Sequence, residues 1–288
     1  MSRHVIYTRY KEEQKPKCVL LCQHGDDGSK LLARYPDFHE RCKIPRELLT
    51  TYLAVERDFG TSELVHEIAK RTNCSVTVIE IELHRGIIDP NRGIEKAVQN
   101  LFVHSENLEL VAQLREAHRE ALEDVNSILL ELKPAVLLDI HSMSPYTPKT
   151  DAESKVRAVR LEPGEVESYL DAWLNPARRG ERRFVDIVTQ LVDGTVVANQ
   201  KLADTLAGRF TGWGIPYRFN HPYPTAPEVM STSYMRDYPG TSGATIDIPK
   251  DYLADGTLDA LKLNSLKINT MAAAIASAIN EFVGTISK

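Results

Sequence analysis

The sequence has no run of about eighteen apolar residues, so it offers no membrane-spanning helix. Its polar opening, Met1 to Lys17, lacks the apolar centre of a secretory leader. Cysteine is scarce. The four residues Cys18, Cys22, Cys42 and Cys74 have neither the spacing of a zinc ribbon nor the density of a disulfide scaffold. A cytoplasmic protein with reduced, structural thiols is expected. An excess of positive charge is missing too: 35 Lys and Arg stand against 40 Asp and Glu, for a net charge of -5. With no basic run interleaved with aromatics, nucleic acid is not an expected partner. There is no internal repeat and no low-complexity tract. What remains is an ordinary globular composition, 42% hydrophobic and 26% charged, in 288 residues, enough to bury a large core. One domain spanning 1–288 is expected.

Runs rich in Val, Ile and Leu recur at Cys18 to Gln23, Ser75 to Glu82, Ala135 to His141 and Ala244 to Ile248, each of strand length. Between them Ser62 to Arg71 and Asn107 to Leu132 carry helical periodicity; in the second, Leu108, Val111, Leu114, His118, Leu122, Val125 and Leu129 fall on one stripe. Glu165 to Trp173, Asn199 to Trp213 and Leu258 to Ile286 also read as helices. The alternation predicts an α/β protein with a mixed, largely parallel sheet and helices on both faces. Ligands of such sheets bind at the carboxyl ends of the strands. Thr150 to Arg183 is a charged insertion, expected as a lid or an edge excursion.

The polar residues that end the strands therefore carry the argument. The first run stops at His24, followed by Gly25, Asp26 and Asp27; the third runs through Asp139 and Ile140 into His141 and Ser142. Neutral imidazoles at matching strand ends suit a metal, and Asp139, two residues before His141, is placed to orient its ring. Between them lies His84-Arg85-Gly86-Ile87-Ile88-Asp89-Pro90-Asn91-Arg92-Gly93, a loop because Pro90 and the glycines forbid a regular helix. Arg85 and Arg92, with the Asn91 amide beside the second, can clamp a carboxylate by paired charge-assisted hydrogen bonds. Without such a ligand they read as two surface arginines.

His24-Gly25, the Arg85 to Arg92 segment ending Asp89-Pro90-Asn91-Arg92, and Asp139-Ile140-His141-Ser142 occur in the order seen in the N-formylglutamate amidohydrolases, which this chain resembles from about Val19 to about Leu253. The Asp-x-Asn-Arg element also resembles the related aspartoacylases and zinc carboxypeptidases. The segment from Thr150 to Arg218 matches neither. The resemblance implies a zinc carboxypeptidase-like fold around one catalytic Zn²⁺, held by His24, His141 and one acid. The carboxypeptidase pattern would make that acid Asp27. The amidohydrolase pattern places it later, before a helix, where Glu56-Arg57-Asp58-Phe59-Gly60 offers Asp58, or Glu56 beside it. We take Asp58, with the other two as alternatives. The resemblance also implies a Glu as general base on a late strand; Ala244 to Pro249 has Asp247 there instead, one methylene shorter, and Glu228 is the alternative. His118 resembles a histidine that faces the amidohydrolase site. The implied activity is hydrolysis of an amide bond in an N-acyl amino acid, a small carboxylate-bearing substrate such as N-formyl-L-glutamate. The alternatives are a carboxypeptidase-like peptidase or deacylase using Asp27, and a catalytically silent relative that only binds a carboxylate, which the shorter Asp247 would favour.

Overall fold

The computed structural model describes residues 4–13, 17–103, 107–149, 161–221, 224–238 and 240–286. Its strands are β1 (Val5–Tyr10), β2 (Lys17–Cys22), β3 (Ser75–Ile81), β4 (Val136–Met143), β5 (Tyr146–Pro148), β6 (Arg179–Arg182), β7 (Val185–Val188), β8 (Tyr217–Phe219) and β9 (Ser242–Pro249). The helices are α1 (Ser29–Arg34), α2 (Phe38–Arg41), α3 (Arg46–Glu56), α4 (Thr61–Arg71), α5 (Ile94–Ala97), α6 (Leu108–Leu132), α7 (Val166–Leu174), α8 (Gln200–Gly212), α9 (Met230–Arg236) and α10 (Ser265–Ile286).

Seven strands form one mixed sheet in the order β1-β3-β2-β4-β9-β7-β8. Its centre, β3-β2-β4-β9, is parallel; β1 and β7 join it antiparallel. Strands covered on both faces must be apolar on both, and β2 obeys this. Leu20 and Cys22 point into a core with Leu64, Leu202 and Ile275 of α4, α8 and α10, while Val19 and Leu21 meet Leu53 and Leu114 of α3 and α6. Helix α4 presents Leu64, Val65, Ile68 and Ala69 inward, and burying each larger side chain is worth about 1.5–3 kcal/mol.

Two boundaries differ from the sequence reading. Helix α10 begins at Ser265, not Leu258. Gly256, at φ 109°, opens a turn, Ala254–Asp255 pairs antiparallel with Lys262–Leu263, and only then does Asn264 Oδ1 accept the Leu266 and Lys267 N–H groups and start the helix. The polar N-terminus, in turn, contains β1, paired to β3 from Val5 opposite Ile81 to Tyr10 opposite Val76. Residues 150–160 of the expected excursion lie outside the described residues; from 161 it contributes α7, packed on α3, and β6, which pairs with β5. Among the described residues no helix is long and apolar enough to cross a membrane.

The register positions the chemistry. Leu21 of β2 lies opposite Asp139 of β4, and His141 of β4 opposite Asp247 of β9. Because side chains alternate along a strand, Asp139, His141 and Asp247 share the face that carries Leu137. The carboxyl ends of β2, β4 and β9 thus lie side by side at one edge.

A candidate metal centre at the sheet edge

The structure brings His24, Asp58 and His141 together at that edge. All three are buried, at 2%, 1% and 6% exposure. His24 follows β2 by two residues and His141 sits within β4. Asp58 arrives from the link between α3 and α4, where its N–H donates to the His24 carbonyl at 3.1 Å and its own carbonyl accepts from Thr61 Oγ1 at 2.7 Å. The link turns at Gly60, φ 85°, and any Cβ there would stand 3.0 Å from Leu253 Cβ.

The three inward atoms form a nearly equilateral triangle. His24 Nδ1 is 3.2 Å from Asp58 Oδ2, His141 Nδ1 is 3.1 Å from the same oxygen, and the two Nδ1 atoms are 3.1 Å apart. Each histidine turns its other nitrogen to a carboxylate: His24 Nε2 to Asp89 Oδ1 at 2.9 Å, and His141 Nε2 to Asp139 Oδ2 at 2.9 Å. A carboxylate only accepts, so in the neutral rings the proton is on Nε2 and the lone pair on Nδ1. Two lone pairs and a carboxylate oxygen therefore converge with no proton among them, an arrangement that calls for a cation. Tetrahedral zinc, with bonds of about 2.0–2.1 Å, sets its ligand atoms roughly 3.3 Å apart, close to the observed edges. The donor set fits zinc.

Electrostatics agree. Burial alone would lower the His141 pKa, but Asp139 and Asp58 beside it raise it well above the usual imidazole value. Burial would raise Asp58, yet His24, Arg85 and the His141 hydrogen bond hold it well below the usual carboxylate range. In the metal-free protein, a proton on His141 is thus favoured where a metal would bind.

The carboxylates behind the histidines are themselves fastened. Asp139 Oδ2 also accepts from Gln23 Nε2 at 2.8 Å and from Ser231 Oγ. Asp89 Oδ1 accepts the Asn91 N–H at 2.9 Å, and its N–H donates to the Ala97 carbonyl. Carboxylates that fix a ligand's tautomer and aim typically control metal affinity. Replacing Asp139 by Ala is expected to weaken zinc binding about 10–100-fold without removing it, read by competition against a chromophoric chelator.

The other sequence candidates fall in distinct places. Arg85 Nη1 donates to Asp58 Oδ1 at 3.1 Å, and its Nε lies 3.6 Å from Glu56 Oε2. Arg92 Nε lies 3.4 Å from Asp89 Oδ2. Both arginines are partly exposed, Arg85 beside Asp58 of the triangle and Arg92 beside Asp89 behind His24. Asn91 Oδ1 accepts the Ser231 N–H at 2.8 Å and lies 2.9 Å from the Ser231 Oγ, so its side chain ties this loop to α9. His118 is buried behind the loop, beside the backbone of Asp89 and Arg92, with its pKa lowered by burial. Asp27 is exposed and accepts the Ser29 N–H, while Glu56 meets Arg85 and Tyr169, so neither joins the triangle. Glu228 stands on the surface, its side chain 53% exposed and 3.7 Å from Lys96, because its loop turns outward before α9. Asp247 alone of the two base candidates lies at the edge.

Two participants were not found from sequence. Asp89 was read as part of the loop and of the Asp-x-Asn-Arg element but given no role, since nothing local marks it as the partner of a histidine 65 residues earlier. Lys250, buried, donates to the Val55 carbonyl at 2.6 Å and joins the end of β9 to the end of α3; burial pushes its pKa down to about 8. A lysine just past a strand gives no sign that it folds inward.

The sequence matches no family model and no curated protein. Solved structures do match. A gene product of Agrobacterium tumefaciens is similar with a TM-score of 0.62 at 16% identity, over 100% of this chain and 97% of that one. N-formylglutamate amidohydrolase from Ralstonia eutropha JMP134 is similar with a TM-score of 0.60 at 14% identity, over 98% of each chain. This chain has the N-formylglutamate amidohydrolase fold. A metallo-carboxypeptidase from Burkholderia cenocepacia is more distant, with a TM-score of 0.41 at 15% identity over 98% of this chain and 61% of that one. Within the amidohydrolase fold, the His24–Asp58–His141 triangle sits where parallel sheets bind ligands, at the carboxyl ends of adjacent strands.

Proposed function

We propose that this chain is a zinc-dependent hydrolase that cleaves the amide bond of a small, carboxylate-bearing N-acyl amino acid of the N-formylglutamate kind. The observation that carries the reading is the triangle of two imidazole lone pairs and one carboxylate oxygen, with edges of 3.1 and 3.2 Å. Zinc held there would polarise the amide carbonyl and lower the pKa of water enough to make a nucleophile at neutral pH. His24, Asp58 and His141 would hold the ion. Arg85 and Arg92 bind the substrate carboxylate through their exposed edges and fix the amide relative to the triangle. Asp247, beside His141, accepts a proton from the attacking water and returns it to the departing nitrogen. The products are a carboxylate and a free amine.

The reading is tested by metal analysis of the purified protein. About one zinc per chain is expected, removable by chelation, restored by added zinc and absent from a His24→Ala, His141→Ala double variant. A wild type that takes up no zinc from micromolar solution would end this reading. The affinity should also depend on pH with a definite sign. Zinc needs the unprotonated ring, and the carboxylates raise the His141 pKa in the metal-free protein, so uptake releases a proton and affinity falls as pH falls.

A further inference from the structure

Across the sheet from the triangle, a second carboxylate faces Asp247. Asp186 of β7 is its register partner in the antiparallel β7–β9 pair, so the two side chains leave the same face directly opposite each other. His141, Asp247 and Asp186 therefore form one row, on β4, β9 and β7. Asp186 is 1% exposed. Oδ1 of Asp186 and Oδ1 of Asp247 are both buried, and neither meets a donor among the described residues. Two buried acceptors face each other, and a donor between them is missing.

We propose that Asp186 is a positioning residue for Asp247: it is protonated in the resting protein and aims the ionised Asp247 carboxylate through an O–H···O hydrogen bond, direct or relayed by one water. The inference rests on the assignment of Asp247 as the base in the hydrolase reading. A buried pair of facing carboxylates carries one proton, because two negative charges at that separation repel strongly and neither is solvated enough to offset it. The surroundings decide which carboxyl holds it. Asp247 lies at the carboxyl edge of the sheet with part of its side chain exposed. Asp186 is one strand further away and fully buried. The charged groups around Asp186 do not neutralise it. Arg218, its register partner on β8, is turned to Glu181 at 3.1 Å and to the Phe184 ring. The backbone N–H of His221, then that of Asn220 and then Arg183, which stacks over Trp173 just before β7, lower the Asp186 pKa, but together they do not offset its burial. Burial, with Asp247 opposite, pushes the Asp186 carboxyl up to about 8.

The arrangement gives the shorter Asp247 what a base needs: a fixed rotamer and an oxygen left free to point at the attacking water. Two variants test it. Asp186→Asn keeps the size and an N–H donor, and should hold kcat within about threefold of wild type. Asp186→Val fills the space without a donor, and should lower kcat about 100-fold with KM and zinc content unchanged. Independently of turnover, an infrared difference spectrum of wild type minus Asp186→Asn at neutral pH should contain the carbonyl stretch of one carboxylic acid. Absence of that band, or an Asn variant as slow as the Val variant, overturns the proposal. If the Val variant does not fold, the band and the Asn variant decide. If the zinc-loaded wild type turns over no N-acyl amino acid, the hydrolase reading fails, while the band still settles whether Asp186 holds the proton.

Discussion

Replacing Asp58 by Ala is expected to leave the chain folded, strip it of zinc at micromolar concentrations, and lower kcat/KM on its best N-acyl amino acid by roughly 10³-fold or more. The magnitude follows from what the residue touches. Asp58 Oδ2 supplies one corner of the triangle, and it also accepts the Ser142 N–H at 3.2 Å. Losing a ligand forfeits the several kcal/mol of charge stabilisation that a metal supplies, and about 4 kcal/mol is already a thousandfold. The second consequence concerns Arg85. It loses its 3.1 Å partner and keeps the looser Glu56 contact, so it is expected to swing and to lower substrate affinity beyond the loss of metal. Adding excess zinc should therefore restore only part of the activity.

The same experiment separates the three acids. Asp27→Ala should leave zinc content and kcat/KM within about twofold, since Asp27 only caps a turn at the surface. Glu56→Ala should retain zinc but raise KM, because Glu56 meets Arg85 and not the imidazoles. A protein that loses zinc with Asp27→Ala and keeps it with Asp58→Ala would carry a carboxypeptidase-like ligand set, and the triangle would have to reorganise on binding. Acid should do what the Asp58 substitution does. Asp58 is held well below the usual carboxylate range, so its ion pairs persist above that range and are lost as pH falls through the lowered value. His141 takes up its proton first, on the way down, because its pKa is raised. Metal should therefore leave before the fold does.

Much of this was legible in the sequence because of what a doubly covered strand requires. β2 and β4 must be apolar on both faces, so polar residues toward their ends stand out, and these include His24 and His141. Asp139 is legible for a related reason: an acid inside an otherwise apolar run, two residues from a histidine, has to share its face. The parallel order then places such ends together. Asp58 was accessible only through resemblance, since no local pattern distinguishes it from Glu56 or Asp27; it is selected by the Gly60 turn and by a hydrogen bond to the His24 carbonyl, both tertiary facts. Glu228 misled because a carboxylate after Ala-Pro carries no signal of whether its loop turns inward. β7 went unnoticed as a strand because its four residues, Val185–Val188, are too few to show a period, and Asp186 was hidden with it. Helix α3 was missed as well: it is short, follows Pro45 and buries Leu49, Tyr52, Leu53 and Val55, with packing on α7.

Asp247→Ala is expected to lower kcat by about 10²–10⁴-fold with zinc content and KM near wild type, the pattern of a lost proton carrier rather than a lost binding group. Asp247 is not among the atoms of the triangle, so the metal should stay. It is not among the arginines that meet the substrate carboxylate, so binding should stay too. The pH profile gives the sign. Burial raises the Asp247 pKa, His141 opposes and Asp58 adds to the rise, and the net result lies above the usual carboxylate value. The base acts ionised, so kcat/KM should fall as pH drops through that raised value, and a bound dication would move the limb to lower pH. Asp247→Glu is the more searching substitution, because the resemblance implies Glu at this place. If the chain has adapted to the shorter acid, with Asp186 opposite it at the register position, the added methylene misplaces the carboxylate and kcat falls about 10-fold or more. If instead the wild type holds zinc but turns over nothing, and Asp247→Glu gains turnover, the native chain is a carboxylate-binding relative that lost its base by one methylene, and the triangle would then serve binding alone.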